Sequence, residues 1–283
     1  MKILYLNIII VQISILLIGA SPSSAGKPQA IHDSEEGWIE GIGNPKVTRL
    51  SDNVLAITGL YHTGGENGVT AGIIFTRESV IFIDAGMTID SAEFIWNEAR
   101  KYIGNRKMFY LILTHHHSDH IFGMRVFKEK GAKVISHSWL KSFISMRGEQ
   151  YKKFLLNMLK WSTDKGDRIF GDVVLSVPDQ VIEKDTILTI DDEEIHILYT
   201  PGHVSTEISI YHPHSKTLFA GDTVYEGMEL TTHFGGPDEW RLWIAQLERL
   251  KELDLETICP GHGSLCTKEE LDRNIDFLRK KLH

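Results

Sequence analysis

The chain has 283 residues, is 42% hydrophobic and carries no low-complexity tract, which is enough apolar material for one large domain. Its formal net charge is −8 and its Lys and Arg are not clustered, which excludes the basic surface that nucleic-acid binding requires. The expected partner is a small-molecule substrate.

Residues 1–25 open with Lys2, run through an apolar segment from Ile8 to Ile18, and end in small residues with Ser23 and Ala25 two apart. That is the layout of a cleavable secretory signal. The other reading is an uncleaved anchor, but the apolar run is short for a bilayer span and is followed at once by Ser21 and Pro22. No Cys follows Gly19 to carry a lipid. The sequence therefore predicts a leader at 1–25 and a domain at 26–283, periplasmic or extracellular, with no stable membrane insertion after removal. Loss of Lys2 makes the charge −9.

From Val47 to Asp84, β-rich runs alternate with turn signals: Val54 to Thr58, Gly64-Gly65, Asn67-Gly68, Gly72 to Phe75 and Val80 to Asp84. They predict antiparallel strands joined by tight turns. Ile89 to Ile103 has helical spacing (Ala92, Ile95, Ala99, Tyr102, Ile103) and leads into an apolar strand, Phe109 to Thr114. Strand, helix, strand implies a crossover with helices covering the sheet. A helix from Met124 to Gly131 and a strand from Lys133 to Ser136 follow. Next comes a long amphipathic stretch from Trp139 to Trp161, with Phe143, Tyr151, Phe154, Leu155 and Met158 at near-helical intervals. That stretch either packs on a sheet or lines an acyl- or aryl-accepting pocket. Val181 to Leu198, Ile208 to Tyr211, Thr217 to Gly221 and Thr257 to Cys259 read as strands, and Trp240 to Leu253 as a helix. Thr267 to Glu270 has a capping-box pattern at the head of a last helix ending at Leu282. Cys259 and Cys266 flank His262; they either pair in an oxidising compartment or serve as small buried residues.

The chemistry sits at strand ends. After the Phe109 to Thr114 strand come His115, His116, His117, Ser118, Asp119 and His120. Alternate residues of an extended segment point the same way, so His115 and His117 can meet one ion, while Asp119 and His120 face a neighbouring one where the loop turns. His116 alone reads as a solvated loop residue. His203 in Thr200-Pro201-Gly202-His203, Asp222 in Ala220-Gly221-Asp222-Thr223 and His262 in Pro260-Gly261-His262-Gly263 each follow an apolar run and sit beside Gly. Loops at strand ends are where a rigid sheet presents functional side chains.

This ordered set, H-x-H-x-D-H from His115 to His120, then His203, Asp222 and His262, preceded by Asp84-Ala85-Gly86, resembles the metallo-β-lactamase superfamily. The resemblance implies a mixed α/β (α+β) fold, a four-layer αββα sandwich with metals at one edge. It implies two Zn²⁺ per chain: His115, His117 and His203 on the first, Asp119, His120 and His262 on the second, and Asp222 bridging. It also implies an enzyme, a hydrolase in which a metal-bridging hydroxide attacks a carbonyl-centred bond, with Asp119 handling the proton. Asp84 is either an outer-shell acceptor or a strand-end turn residue.

Among the branches, zinc β-lactamases place Cys or Ser where this chain has Asp222, and one branch has a Lys where Tyr225 stands. Hydroxyacylglutathione hydrolases carry a sizeable C-terminal helical segment, whereas only twenty-one residues follow His262 here. Acyl-homoserine lactonases resemble this chain at Asp222-Thr223-Val224-Tyr225, where the Tyr hydroxyl serves as an oxyanion-hole donor; the other reading of Tyr225 is a packed aromatic. His233 and Trp240 are further candidates for the substrate rim. The expected activity is hydrolysis of an ester, lactone, thioester or β-lactam. Two alternatives stay open: a β-lactam-hydrolysing enzyme, and a mononuclear iron persulfide dioxygenase, which shares the fold and several ligands.

Overall fold

The computed structural model describes residues 29–33, 37–63, 67–160 and 162–283. The leader at 1–25, the Gly64-Gly65 turn signal and Trp161 lie outside the described residues. Among those described, no helix is long and apolar enough to cross a membrane.

The amino-terminal sheet is built from β1 (Gln29–Asp33), β2 (Gly43–Ser51), β3 (Val54–Leu60), β4 (Val69–Phe75) and β5 (Ser79–Ile83), paired antiparallel in sequence order. Helix α1 (Ile89–Arg100) follows, its first turn closed by Thr88, whose Oγ1 accepts the Ser91 amide at 2.9 Å. It crosses over to β6 (Met108–Leu113), which lies parallel to β5. Short α2 (Ser118–Ile121) and α3 (Met124–Glu129) precede β7 (Lys133–His137), parallel to β6. Helices α4 (Ser138–Leu159) and α5 (Thr163–Phe170) then lead to β8 (Gln180–Ile182). The second half comprises β9 (Thr186–Ile190), β10 (Glu193–Tyr199), β11 (Ile208–His212), β12 (Thr217–Tyr225), α6 (Pro237–Lys251), β13 (Thr257–His262) and α7 (Lys268–Lys281). Its strands run in the order β13-β12-β11-β10-β9 and join the first half where His262 pairs with Val69.

The period of two in these strands decides the layers. In β3, Leu55 and Ile57 belong to one apolar cluster, and Val54 and Ala56 to another. In β5, Val80 and Phe82 join the first, and Ile81 and Ile83 the second. The first cluster continues into α1, α3, α4 and α5. The second meets Ile195, Ile197, Ile208, Ile210, Phe219 and Cys259 from the carboxy-terminal strands, so it is the interior between two sheets. A third cluster covers the far face of the second sheet with Trp243 and Leu247 of α6 and Leu271 and Ile275 of α7. Helix, sheet, sheet, helix is the expected αββα sandwich.

Several local expectations change. Strand β12 runs past Gly221 to Tyr225, and β13 past Cys259 to His262, which carries the candidate ligands onto the strands themselves. The expected capping box at α7 does not form: the Thr267 hydroxyl donates to the Glu269 carboxylate, and no side chain caps the helix. Instead the Glu239 carboxylate accepts the Gly236 amide at 2.8 Å, at the head of α6. The two thiols are free. Cys259 faces the inter-sheet core while Cys266 packs on the outer cluster, so they sit on opposite faces of the second sheet.

Candidate metal centre

Parallel β5 and β6 end at the same edge, and there Asp84 and His115 emerge. His117 immediately precedes α2, the single turn that carries Asp119 and His120 inward. His203 comes from the loop after β10. Asp222 stands on β12 beside a break in its register with β13. Gly221 there has φ +54, and a Cβ at Gly261 would strike the Asp222 carboxylate, so both positions demand glycine.

The seven ligands expected from the sequence converge in two clusters that share Asp222. Its Oδ2 lies 3.6 Å from His115 Nε2, 4.0 Å from His117 Nδ1 and 3.3 Å from His203 Nε2. Its Oδ1 lies 3.2 Å from His120 Nε2 and 3.5 Å from His262 Nε2. Asp119 Oδ2 closes the second group at 3.2 Å from His262 Nε2 and 3.6 Å from His120 Nε2. Ligands about 2.1 Å from a tetrahedral ion stand about 3.4 Å from one another, so these separations are the edges of coordination polyhedra.

The imidazoles are aimed from behind. His120 Nδ1 meets Asp84 Oδ2 at 2.7 Å, His203 Nδ1 the Thr231 carbonyl at 3.2 Å and His262 Nδ1 the Asn67 carbonyl at 3.3 Å. His115 Nδ1 meets Thr114 Oγ1 at 3.0 Å and lies 3.5 Å from Glu207 Oε1. An acceptor behind each of these four rings leaves its Nε2 for the centre, whereas His117 turns its Nδ1 inward, 3.1 Å from His203 Nε2. Accordingly, His115 Nε2, His120 Nε2 and Asp222 Oδ1 are buried without a hydrogen-bond partner. Asp84 fills both roles expected of it: at φ +60 it turns the strand end, and its carboxylate takes the Thr114 amide, the Thr114 hydroxyl and His120.

Electrostatics point the same way. Burial drives His203 down to about 3 and His115 well below the imidazole range. Burial also opposes charge on His120, yet Asp84, Asp119 and Asp222 outweigh it and hold that ring well above its usual value. Against their own burial, Asp119 and Asp222 are held well below the carboxylate range by the surrounding imidazoles. Glu207 moves oppositely: burial, then the nearby Asp222 charge, pushes it well up. Two ionised carboxylates, Asp119 and Asp222, around unpartnered imidazole nitrogens ask for cations, and the oxygen and nitrogen donor set suits zinc, iron, manganese or cobalt.

A cavity of about 240 Å³ opens over the clusters, lined by Asp119, Asp222, His117 and Tyr225 on its floor and by Tyr151, Leu155, Met158, Met228 and Phe234 on its walls. Helix α4 both packs and lines a cavity: Phe143 packs on the core, while Leu155 and Met158 face the cavity. Tyr225 is 2% exposed, and its hydroxyl donates to Asp222 Oδ2 at 2.6 Å. His233 lines the cavity; Trp240 does not, its indole donating to the Thr232 carbonyl at 3.3 Å. His116 turns away to Thr206 Oγ1 at 2.9 Å and packs on Phe143. Sequence reading missed His62, Glu207 and Phe234, which are scattered singly among loops and strands and carry no spacing signal.

A sandwich with paired His and Asp clusters at the sheet edge defines a class of potential metal-binding hydrolases. A family profile described as the metallo-beta-lactamase superfamily matches residues 64–262, and the chain belongs to that superfamily. It is 25% identical over 243 residues to a beta-lactamase-like protein 2 homolog of Caenorhabditis elegans, covering 83% of this chain and 70% of that protein. It is 26% identical to the acyl-coenzyme A thioesterase MBLAC2 of Gallus gallus over 57% of this chain, spanning 59% of that protein's length. A solved metallo-beta-lactamase from Pontibacter korlensis superposes with a TM-score of 0.67 at 19% identity, covering 83% of this chain and 99% of that one; it speaks for the fold alone.

Proposed function

We propose that this chain is a dinuclear zinc hydrolase of carbonyl-centred bonds, acting on esters, lactones or thioesters outside the cytoplasm once residues 1–25 are removed. The observation that carries this reading is Asp222, whose two carboxylate oxygens face two different histidine clusters. His115, His117 and His203 would hold one ion, Asp119, His120 and His262 the other, with Asp222 shared. When bound, such a pair of ions supplies an activated water at neutral pH and stabilises charge on the attacked and departing oxygens.

The chain's own residues then divide the work. Asp119 lines the cavity with its Oδ2 turned to the second cluster, where it can take a proton and return it to a leaving group. Tyr225 fixes the Asp222 carboxylate through its hydroxyl and, on turning to the cavity, offers that donor to a carbonyl oxygen. The apolar wall of Leu155, Met158, Met228 and Phe234 suits an acyl arm and keeps water from it. Among the described residues lining the cavity there is no Lys or Arg, so a carboxylate such as that of a β-lactam finds no cationic clamp. The thioesterase relative makes a thioester a reasonable member of the substrate set.

The test is metal analysis of purified protein beside a panel of lactones, esters, thioesters and β-lactams. Two zinc per chain with turnover of an acyl substrate is the expected result. One iron per chain with oxygen consumption would replace the reading with a persulfide dioxygenase, and preferential β-lactam turnover would replace it with a lactamase.

A further inference from the structure

We propose that His62 is an additional ligand at the second metal position, supplied by the turn between β3 and β4; the inference rests on the two-metal reading above. His62 Nε2 lies 3.8 Å from Asp119 Oδ2, and its ring meets that of His262 edge-on with centroids 4.8 Å apart. Donor atoms of His62, Asp119 and His262 all fall within 4.8 Å of one another, a second trio beside His120, Asp222 and His262. Two of its members already belong to the candidate centre. The third approaches from the cavity mouth: the His62 side chain is 28% exposed, against 4% for His262 and 9% for Asp119.

The described residues flanking His62 hold that position. The Tyr61 amide, one residue before, donates to the Ile42 carbonyl at 2.7 Å. At the base, a Cβ on Gly68 would strike the backbone of Gly59 and Leu60, so the two arms cross at a distance only glycine permits. On the far side of the turn, the Asn67 carbonyl aims His262. The described residues of this turn therefore orient a candidate member of the cluster through the Asn67 backbone and present a further imidazole through the His62 side chain. The His62 imidazole thus stands among the donor atoms of Asp119 and His262, within reach of the ion they would hold.

The experiment is a titration of apo-protein with Co²⁺, read by visible absorption, in the wild type, His62→Ala and His62→Cys. The expected result is a loss of about tenfold or more in affinity for the second equivalent in His62→Ala, with the first equivalent unchanged. His62→Cys, which offers a thiolate from the same turn, should add a near-ultraviolet sulfur-to-cobalt charge-transfer band. An unchanged second affinity in His62→Ala without that band in His62→Cys overturns the proposal, including where KM alone has moved. A wild type that takes only one equivalent defeats the two-metal reading and this ligand with it. Two equivalents in the wild type and an indifferent His62 defeat the ligand alone.

Discussion

The floor and the rim of the cavity are built on opposite principles. On the floor, Asp84, His115, His120, Glu207 and Asp222 are each 2% exposed or less, and each touches at least one other member of the network. On the rim, Met158 is 55% exposed and Phe234 51%, and they meet the cavity through apolar contact. Buried polar networks fix a geometry because every unpaired member is costly. Half-exposed apolar side chains fix little, and can be exchanged without disturbing the fold. The candidate ion ligands and the apolar wall of the cavity thus lie in separate parts of the molecule.

The largest effect should follow from breaking the floor at its centre. Asp222→Ala removes the carboxylate both clusters share, and charge stabilisation by paired ions is worth several kcal/mol. At about 4 kcal/mol, kcat/KM falls about a thousandfold. Steady-state rates with metal counting check this, and a variant within tenfold of wild type would mean that Asp222 does not bridge.

Next comes the support behind the floor. Removing such a partner costs about 10- to 100-fold in metal affinity. Asp84→Asn tolerates the left-handed backbone and still offers an oxygen to the Thr114 amide, so its loss should appear in the second ion alone. Asp84→Ala strands that buried amide as well, adding about 1–3 kcal/mol of destabilisation. Zinc titration and thermal unfolding, run side by side, separate the two; equal melting temperatures would mean Asp84 is not holding the strand end.

The same contrast explains what the sequence disclosed. The floor's candidate ligands were legible because ligand-type residues crowd the ends of apolar runs, and alternation told which of His115, His116 and His117 face together. Glu207 escaped because it looks like any polar residue opening a strand, and only the packing of Thr114 and Gly221 against it makes it a buried neighbour of His115. His62 escaped because a lone His in a turn carries no period. The strands were visible but their sheet was not: β4 and β5 are buried on both faces, so their runs give no inside or outside. Helix α5 was missed because eight residues around Gly166 show too short a repeat.

Rim substitutions should act on KM and depend on the substrate. Leu155→Ala is the strongest of these, since the side chain is 5% exposed and touches both core and cavity. A buried CH₂ is worth about 0.8 kcal/mol, so contact with two or three of them changes KM for a long acyl chain by about tenfold or more. Short acyl substrates should be nearly indifferent. A KM change uniform across chain lengths would place Leu155 outside the acyl path.

The smallest expected effect is also the most discriminating, because it compares two residues one helical turn apart. Phe154 and Met158 of α4 are 60% and 55% exposed, so Phe154→Ser and Met158→Ser should each leave stability within about 0.5 kcal/mol of wild type. Only Met158 lines the cavity. Met158→Ser should therefore raise KM for long acyl substrates about threefold while Phe154→Ser leaves it unchanged, since exposed methylenes contribute only part of the burial value. If both variants shift KM alike, the acyl arm leaves the cavity over the outer face of α4; if neither does, it lies against Phe234 and Met228 on the opposite wall.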